Sequence, residues 1–335
     1  MRTDEGVASA SIGAVKARIT RLDRRRGLGT FGIAAGVVAL ALLPLLLGPY
    51  RTLLATEVLI YALFAMSFNL LFGYTGLLSF GHAAYFAAGA YASAFTIVSL
   101  GQPLWVGVLA GLVGGALLAA LLGVLCVRVN EIYFSLLTLA FGMLVYTVVF
   151  QAREVTGGSD GYQIFELGTL FGAPAGRPDV FYWLTLTVVV AGSLALLRVV
   201  RSPFGQTLRA IRANPERVLF FGVPVRRYQY RAFVIAGAGA GLAGSLIAPF
   251  LRVAAPEMAH WTTSAEVVLG TLLGGVGFFL GPAVGTGVLI WLESVVTSRT
   301  VYWPLVMGLM LLGLVLFLPG GILGSLAKLT RRRVR

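Results

Sequence analysis

Residues 73–93 read GYTGLLSFGHAAYFAAGAYAS and interrupt an otherwise apolar part of the chain. The stretch contains four glycines and, near its centre, two polar side chains, Ser79 and His82. Glycine permits backbone turns that other residues resist, and a plain membrane helix would not need so many. Non-helical backbone at membrane depth is tolerated only inside protein or beside a water-filled cavity. The stretch therefore predicts a broken or turned segment within a membrane protein.

The composition of the whole chain indicates the same class. Hydrophobic residues make up 58% of it and charged residues 12%, with a mean hydropathy of +0.89. Soluble domains have about 25% charged residues. We predict an all-α integral membrane protein with about ten transmembrane segments, each long enough to cross about 30 Å of hydrocarbon. Their predicted positions are 28–48, 53–72, 77–99, 104–126, 132–150, 180–200, 229–250, 264–279, 283–297 and 302–318. No length remains for a separate soluble catalytic domain.

The net charge of +13 could suggest nucleic acid as a partner, but its placement indicates membrane topology. Seven Lys and Arg residues lie in 1–30, eight in 198–231 and five in 328–335, which together hold 20 of the 26. Basic residues beside spans mark the cytoplasmic side. Without a soluble domain, the chain has no surface suited to nucleic acid.

This charge pattern divides the chain into a membrane domain with two basic ends. We predict cytoplasmic tails at 1–27 and 319–335 and a transmembrane domain at 28–318. Within that domain, the connection at 151–179 is predicted to be external and the region at 201–228 cytoplasmic. Six crossings then return the chain to the inside and four more place the C-terminus there, so the two termini agree with the positive-inside rule.

Two glycine-rich breaks suggest an internal symmetry. GYTGLLSFG at 73–81 and GGVGFFLGP at 274–282 occupy corresponding places in two halves of opposite topology. Such a pair of interrupted segments is typical of a transport pathway, although glycine is also common in membrane helices for packing. The glycines predicted to form the breaks are Gly73, Gly76, Gly81, Gly274, Gly275, Gly277 and Gly281. Other small residues spaced four apart, such as Gly237 and Gly241, predict close helix packing.

The largest cytoplasmic region, Ser202 to Tyr228, predicts a short helix with exposed apolar side chains. Asn214 suits an N-cap, Pro215 the first helical position and Glu216 the positive helix end, while Gly222 suits a C-terminal stop. The resulting helix at 215–221 includes Phe220. Exposed apolar side chains of this kind either dock into a partner or lie on lipid. In the preceding residues Arg209 and Arg212 share one helical face.

Several polar residues near or within the spans are candidates for the pathway or its gate. Glu57 and Glu266 begin equivalent spans and could flank an external entrance, although interface solvation explains a carboxylate at such a place equally well. The other candidates are Asn69, Tyr74, Ser79, His82 and Tyr85. For His82 and Ser79, shaping of the turn is the alternative to substrate contact.

The sequence contains no pattern typical of catalysis or of a cofactor. Neither His82 nor His260 has a partner at metal spacing, and Cys126 is the only cysteine. The two lysines, Lys16 and Lys328, do not lie in a phosphate-binding loop. We therefore predict no catalytic residue, no metal and no cofactor, and any ATP that drives the protein must bind to another chain.

Three motifs together resemble a known family. They are GYTGLLSFGHAAYFAAGAYASA, TGGSDG at 156–161 after YFSLLTLAFG, and GQTLRAIRANPERVLFFGVPV followed by AFVIAGAGAGLAGSL. The chain resembles the permease subunits of branched-chain amino acid ABC transporters, over roughly 30–325. The long loop that carries TGGSDG resembles the M-type rather than the H-type permease. PGGILG at 319–324 is similar to the end of the family pattern.

The resemblance implies an importer in the bacterial inner membrane. It would contain this permease, a second permease of the H type, two cytoplasmic ATPases and an external solute-binding protein. It also implies that 201–228 is the region that couples to the ATPase, through Arg209, Arg212, Asn214, Pro215, Glu216, Phe220 and Gly222. VLFFGV is bulkier than the usual pattern before that glycine, and Tyr162 stands where leucine is more usual.

The resemblance implies that the importer carries leucine, isoleucine and valine across the membrane by alternating access. Urea and short-chain amide permeases belong to the same group and remain an alternative. A stand-alone channel or secondary transporter for a small polar solute is a second alternative, against which the absence of a buried acidic relay counts. An intramembrane enzyme lacks a nucleophile–base arrangement.

Overall fold

The computed structural model places the chain in two units, Met1–Gly48 and Pro49–Arg335. In the first unit, residue 36 and residues 38–44 are helical. The structure describes residues 36, 38–44, 48–170, 173–299, 302, 305, 306, 308, 309, 312, 313 and 320–332. The predicted segments at 28–48 and 302–318 fall largely outside these residues, as do the predicted tail at 1–27 and the last three residues of the tail at 319–335.

The second unit is built mainly of helices. In chain order they are α1 (Pro49–Thr75), α2 (His82–Val98), α3 (Leu104–Cys126), α4 (Glu131–Gln151), α5 (Arg153–Thr156), α6 (Pro178–Arg201), α7 (Pro203–Ala213), α8 (Pro215–Phe220), α9 (Val225–Leu251), α10 (Trp261–Gly274), α11 (Gly281–Thr297) and α12 (Gly321–Arg332). Four two-residue strands accompany them: β1 (Tyr162–Gln163), β2 (Thr169–Leu170), β3 (Ala173–Pro174) and β4 (Val253–Ala254).

Five of the described helices, α1, α3, α4, α6 and α9, are long and apolar enough to cross a membrane. The predicted helical membrane class is therefore confirmed in this coarser form. Helices α2 and α11 have 17 residues each and α10 has 14. At 1.5 Å per residue, α10 is about 21 Å long, which is shorter than the hydrocarbon layer. The predicted segments at 77–99 and 264–279 thus contain non-helical backbone.

Small residues bring the central helices together. Helix α9 packs closely against α3, α2 and α1. On α9, Gly237 and Gly241 face Gly111 and Gly115 of α3, and a Cβ atom at Gly115 would lie 2.6 Å from the carbonyl oxygen of Gly237. Glycines four apart let backbones approach this closely because no side chain separates them. The predicted packing role of this spacing is confirmed.

The two predicted breaks are present, but the first is shorter than predicted. Helix α1 continues to Thr75, so Gly73 lies in its last turn and only residues 76–81 separate α1 from α2. The backbone needs glycine at Gly76 and at Gly275 in the second break, whose φ angles are +86° and +108°. At the second break, a Cβ atom on Gly274 would meet the carbonyl oxygen of Gly281, so the ends of α10 and α11 touch there.

The long helices have two distinct ends. At the end that we call the basic end, α6 leads into α7 and α8, and Phe204 stacks on Tyr228 of α9 at 5.5 Å between ring centroids. At the opposite, loop end, β1 pairs antiparallel with β4, with Tyr162 opposite Ala254. The connection that carries TGGSDG is therefore attached to the residues that follow α9. Strands β2 and β3 form a second antiparallel pair.

Candidate functional site

The last turn of α1 is attached to α7 at the basic end. The guanidinium of Arg212 donates a hydrogen bond to the carbonyl oxygen of Gly73. The guanidinium carbon of Arg209 lies 5.2 Å from the centroid of the Tyr74 ring. The guanidinium of Arg209 also donates a hydrogen bond to the carbonyl oxygen of Val200 at 3.2 Å. The last carbonyls of a helix lack partners within it and carry partial negative charge, so cations there are favourable. Both arginines are directed towards the bundle.

The last two turns of α1 contact the second break. The amide Nδ2 of Asn69 donates to the carbonyl oxygen of Phe278 at 3.4 Å. A Cβ atom on Gly73 would lie 2.8 Å from the carbonyl oxygen of Val276, so the backbones are in close contact. A pocket of about 490 Å³ lies at this junction and is lined by Gly73, Tyr74, Arg209, Arg212, Ala213 and Gly277. Sequence reasoning named both breaks and both arginines, and the structure brings all of them to one place.

Helix α8 has the capping that its sequence predicts. Oδ1 of Asn214 accepts a hydrogen bond from the backbone N–H of Arg217 at 2.9 Å, Pro215 is the first helical residue and Glu216 lies in the first turn. Beyond the helix, Gly222 has a φ of +78°. The predicted helix is confirmed, one residue shorter than expected.

The apolar side chains of α8 are not covered by the rest of the described chain. Leu219, Phe220 and Phe221 are 63%, 90% and 85% exposed. Aromatic side chains with this exposure, next to one another, indicate a surface that contacts something else.

Several buried polar side chains lie around the first break. His82 is completely buried, with Nε2 at 3.2 Å from the hydroxyl oxygen of Ser67. Its ring stacks on Phe64 at 5.5 Å and meets Tyr85 edge-on at 5.7 Å. Three buried atoms have no hydrogen-bond partner among the described residues: Oδ1 of Asn69, Oγ of Ser79 and Nδ1 of His82. Leaving a buried polar atom unpaired costs about 1–3 kcal/mol, so each of these three atoms can gain a hydrogen bond from a molecule that reaches it.

Every pathway candidate near the first break is enclosed in this conformation. None of the five is more than 8% exposed: Asn69, Tyr74, Ser79, His82 and Tyr85. A solute would reach them only if the surrounding helices separated.

Two further residues of this region are not evident from the sequence. The backbone N–H of Ala83, in the first turn of α2, donates to Oγ of the buried Ser264 in α10 at 2.8 Å. Helix α2 has no side-chain N-cap of its own, so α10 supplies one. Ser67, the partner of His82, is also buried. The only signal for either is a serine in an apolar helix, where hydroxyls commonly bond across helices.

The predicted acidic residues lie at the loop end. Glu57 and Glu293 line a groove of about 480 Å³ together with Tyr50, whose hydroxyl is 2.9 Å from Oγ of Ser294. Glu266 is close enough to both carboxylates for their charges to interact. The three carboxylates therefore lie near one another at the loop end, and the role of Glu57 and Glu266 at an external entrance stays a prediction.

Within the described ranges, no group of three or more His, Cys, Asp or Glu side chains could hold a metal ion. Arg177 and Asp179 form the one ion pair found there, at 2.7 Å. Cys126 is buried and unpaired. The junction at the basic end and the region around His82 are composed of neutral polar groups, backbone carbonyls and arginines, and the carboxylates lie at the loop end.

Long apolar helices, broken segments packed against each other and an exposed aromatic helix beside them are typical of a multi-pass membrane transport protein. A comparison with protein families makes this specific. The model of the branched-chain amino acid transport system permease component matches residues 50–319. The chain belongs to this family, and transport, not catalysis, is the role of its members.

Individual relatives agree with this assignment. The high-affinity branched-chain amino acid transport system permease protein LivM of Escherichia coli is 28% identical over 81% of this chain and 69% of its own length. The corresponding LivH protein of Escherichia coli is 26% identical over 79% of this chain and 91% of its own. The ribose import permease protein RbsC of Bacillus subtilis is 31% identical over 42% of this chain and 43% of its own. No solved structure matches the chain.

Proposed function

We propose that this chain is the M-type permease subunit of an ATP-driven importer of leucine, isoleucine and valine. The observation that carries the proposal is the family match over residues 50–319, together with the similarity to LivM over most of both chains. The similarity to LivH supports a second, related permease of the H type as its partner. Two ATPases and an external solute-binding protein complete the proposed importer.

The proposed topology has about ten transmembrane segments in two inverted halves, with both termini in the cytoplasm. The basic end is then the cytoplasmic end, because eight of the 26 basic residues lie in 198–231. The loop end, with the connection at 151–179, faces outward and receives the binding protein. Helix α8 docks on an ATPase through Phe220 and the adjacent Phe221, since burial in a protein partner gains more than exposure to water.

In the proposed mechanism, ATPase closure moves α8 and α7, and the bundle responds by alternating access. Arg212 and Arg209 transmit the movement to the last turn of α1 through Gly73 and Tyr74. The contact of Asn69 with Phe278 then carries it to the second break. The two breaks move together and open the region around His82 to one side of the membrane at a time.

The chemistry of the enclosed region suits a neutral zwitterion with an aliphatic side chain. Its walls are aromatic and aliphatic, and its polar atoms are uncharged hydroxyl, amide and imidazole groups. Opening would expose the unpartnered atoms of Asn69, Ser79 and His82, which could then bond to the substrate or to water. Outside, Glu57, Glu266 and Glu293 would attract the ammonium group and repel free anions.

Transport by the reconstituted complex tests this function. The permease pair, its ATPases and its binding protein are placed in liposomes, and uptake of labelled leucine is measured with and without ATP. We expect uptake only with ATP, and competition by isoleucine and valine but not by urea, acetamide or ribose. Uptake driven by a proton gradient alone would refute an ABC importer. Competition by urea or acetamide would favour the amide alternative, and competition by ribose would assign the transporter to sugars.

A further inference from the structure

An apolar groove opens on the outside of the bundle at the basic end, apart from the junction of α1 and α7. It has a volume of about 620 Å³. Its walls come from α3, α6 and α9, and residues at the start of α7 close it below. Its lining includes Ala120, Arg198, Phe204, Arg231, Val234 and Ile235.

The groove is preformed by contacts between its walls. The hydroxyl of Tyr230 on α9 donates to the carbonyl oxygen of Ala120 on α3 at 3.2 Å. Phe204 stacks on Tyr228 with 18° between the ring planes, which attaches α7 to α9. Ala120 is small, so it leaves space where a larger side chain would fill the groove. The space is therefore a result of how these helices pack in this conformation.

Two positive charges border this apolar surface. Arg198 lies in the last turn of α6 and Arg231 on the second turn of α9, and both side chains are exposed. Among the residues that the structure describes, the single ion pair is Arg177 with Asp179, so neither arginine has a carboxylate partner there. An aliphatic slot with two free guanidinium groups at its edge complements a molecule with an anionic head and an apolar tail.

We propose that the groove binds one anionic phospholipid, with its phosphate between Arg198 and Arg231 and an acyl chain along Ala120, Val234 and Ile235. Basic pockets between membrane helices at the cytoplasmic surface are suited to such headgroups, and a guanidinium binds phosphate by paired hydrogen bonds. The acyl chain gains no hydrophobic free energy on leaving the bilayer, because lipid tails are as apolar as the groove, but it gains van der Waals contacts with the groove walls that are the same for any phospholipid of that chain length. Selection therefore takes place at the headgroup. The bound lipid contacts Phe204 and so braces α7.

The size of the preference follows from the charges. Each basic side chain near an anionic lipid contributes about 1 kcal/mol. Two of them correspond to about a 30-fold preference for an anionic over a zwitterionic lipid, and one to about 5-fold. Removal of both charges should abolish the preference.

The test uses the full-length chain in detergent with equal amounts of phosphatidylglycerol and phosphatidylethanolamine of matched acyl chains. Native mass spectrometry measures which lipid the protein retains. We expect one retained phosphatidylglycerol with about 30-fold preference. Arg198→Gln with Arg231→Gln should reduce the ratio to near one, and each single variant should reduce it about 5-fold. The single variants keep the test available if the double variant fails to fold.

Two controls separate a groove from diffuse surface charge. Arg226→Gln with Arg227→Gln removes the same charge from the same end of α9 but lies outside the groove lining, and it should leave the ratio unchanged. Ala120→Phe keeps every charge but fills the groove, and it should release the lipid. Equal loss with the control pair, or retention in Ala120→Phe, would overturn the proposal. A further outcome would also overturn the proposal. If Arg198→Gln with Arg231→Gln leaves the lipid ratio unchanged but the variant no longer co-purifies with the second permease, the groove is a subunit interface.

Discussion

Replacement of Arg212 by glutamine should uncouple ATP hydrolysis from transport. The substitution removes the hydrogen bond to the carbonyl oxygen of Gly73 and the positive charge at the end of α1. A hydrogen bond to a charged group contributes about 1.5–3 kcal/mol, and the lower value applies because the Arg212 side chain is exposed. About 1.4 kcal/mol of lost coupling corresponds to a factor of about ten. We expect about ten times more ATP to be hydrolysed for each leucine transported.

The assay measures both quantities in one preparation. Labelled leucine uptake and phosphate release are recorded together from proteoliposomes that contain the complete complex. Arg227→Gln, which removes a charge from the first turn of α9 without touching α1, is the matched control and should keep the normal ratio. Arg212→Lys retains the positive charge and N–H donors, although on a shorter side chain without the guanidinium plane, so it should restore part of the coupling. If uptake and hydrolysis fall in the same proportion in Arg212→Gln, the side chain only stabilises the fold or the assembly, and the reasoning is refuted.

Three further predictions concern the exposed helix, the second break and the cap on α2. Phe220→Ala with Phe221→Ala should leave thermal stability unchanged, because both rings are exposed. Retention of the ATPase in co-purification should fall at least about tenfold. Retention at the normal level would exclude α8 as the docking surface. Gly281→Ala should destabilise the chain by about 1–3 kcal/mol, because its Cβ would meet the carbonyl oxygen of Gly275, whereas Gly277→Ala has open space around it and should be tolerated. Thermal unfolding followed by size-exclusion chromatography compares the two variants. Equal stability would contradict the packing of α10 on α11. Ser264→Ala should lower the free energy of unfolding by about 1–3 kcal/mol in the same measurement, because it leaves the N–H of Ala83 unpaired. Ser159→Ala, at an exposed position, serves as the control. An unfolding midpoint equal to that of the control would show that the hydrogen bond to Ala83 contributes nothing.

Local signals in the sequence were sufficient to predict helix α8 and where it begins and ends. The order Asn214, Pro215, Glu216 determines where the helix begins, because capping depends on residues within one turn of each other. Gly222 likewise marks its end. The bulky residues of VLFFGV then indicated an exposed apolar surface, and their exposure in the structure agrees with that interpretation.

Interactions between distant residues could not be predicted in the same way. Nothing in the sequence around Ser264 indicates that its hydroxyl accepts a hydrogen bond from Ala83, since the two residues are 181 positions apart. The extension of α1 to Thr75 is a similar case. The contacts of Arg212 and Arg209 stabilise a last turn that contains Gly73, whereas local propensity favours a break there.

The sequence by itself determined that the chain is a membrane protein with broken glycine-rich segments and a basic region that contains a short helix with exposed apolar side chains. Hydrophobic length, glycine content and charge position are properties of short windows, and the bilayer responds to them directly. The tertiary structure alone decided that both breaks and the arginines of α7 meet at the last turn of α1. It also decided that His82 is completely buried. Such neighbours are chosen by how whole helices pack, and in this chain that packing depends on glycines such as Gly115 and Gly241 that allow backbones from separate parts of the sequence to touch.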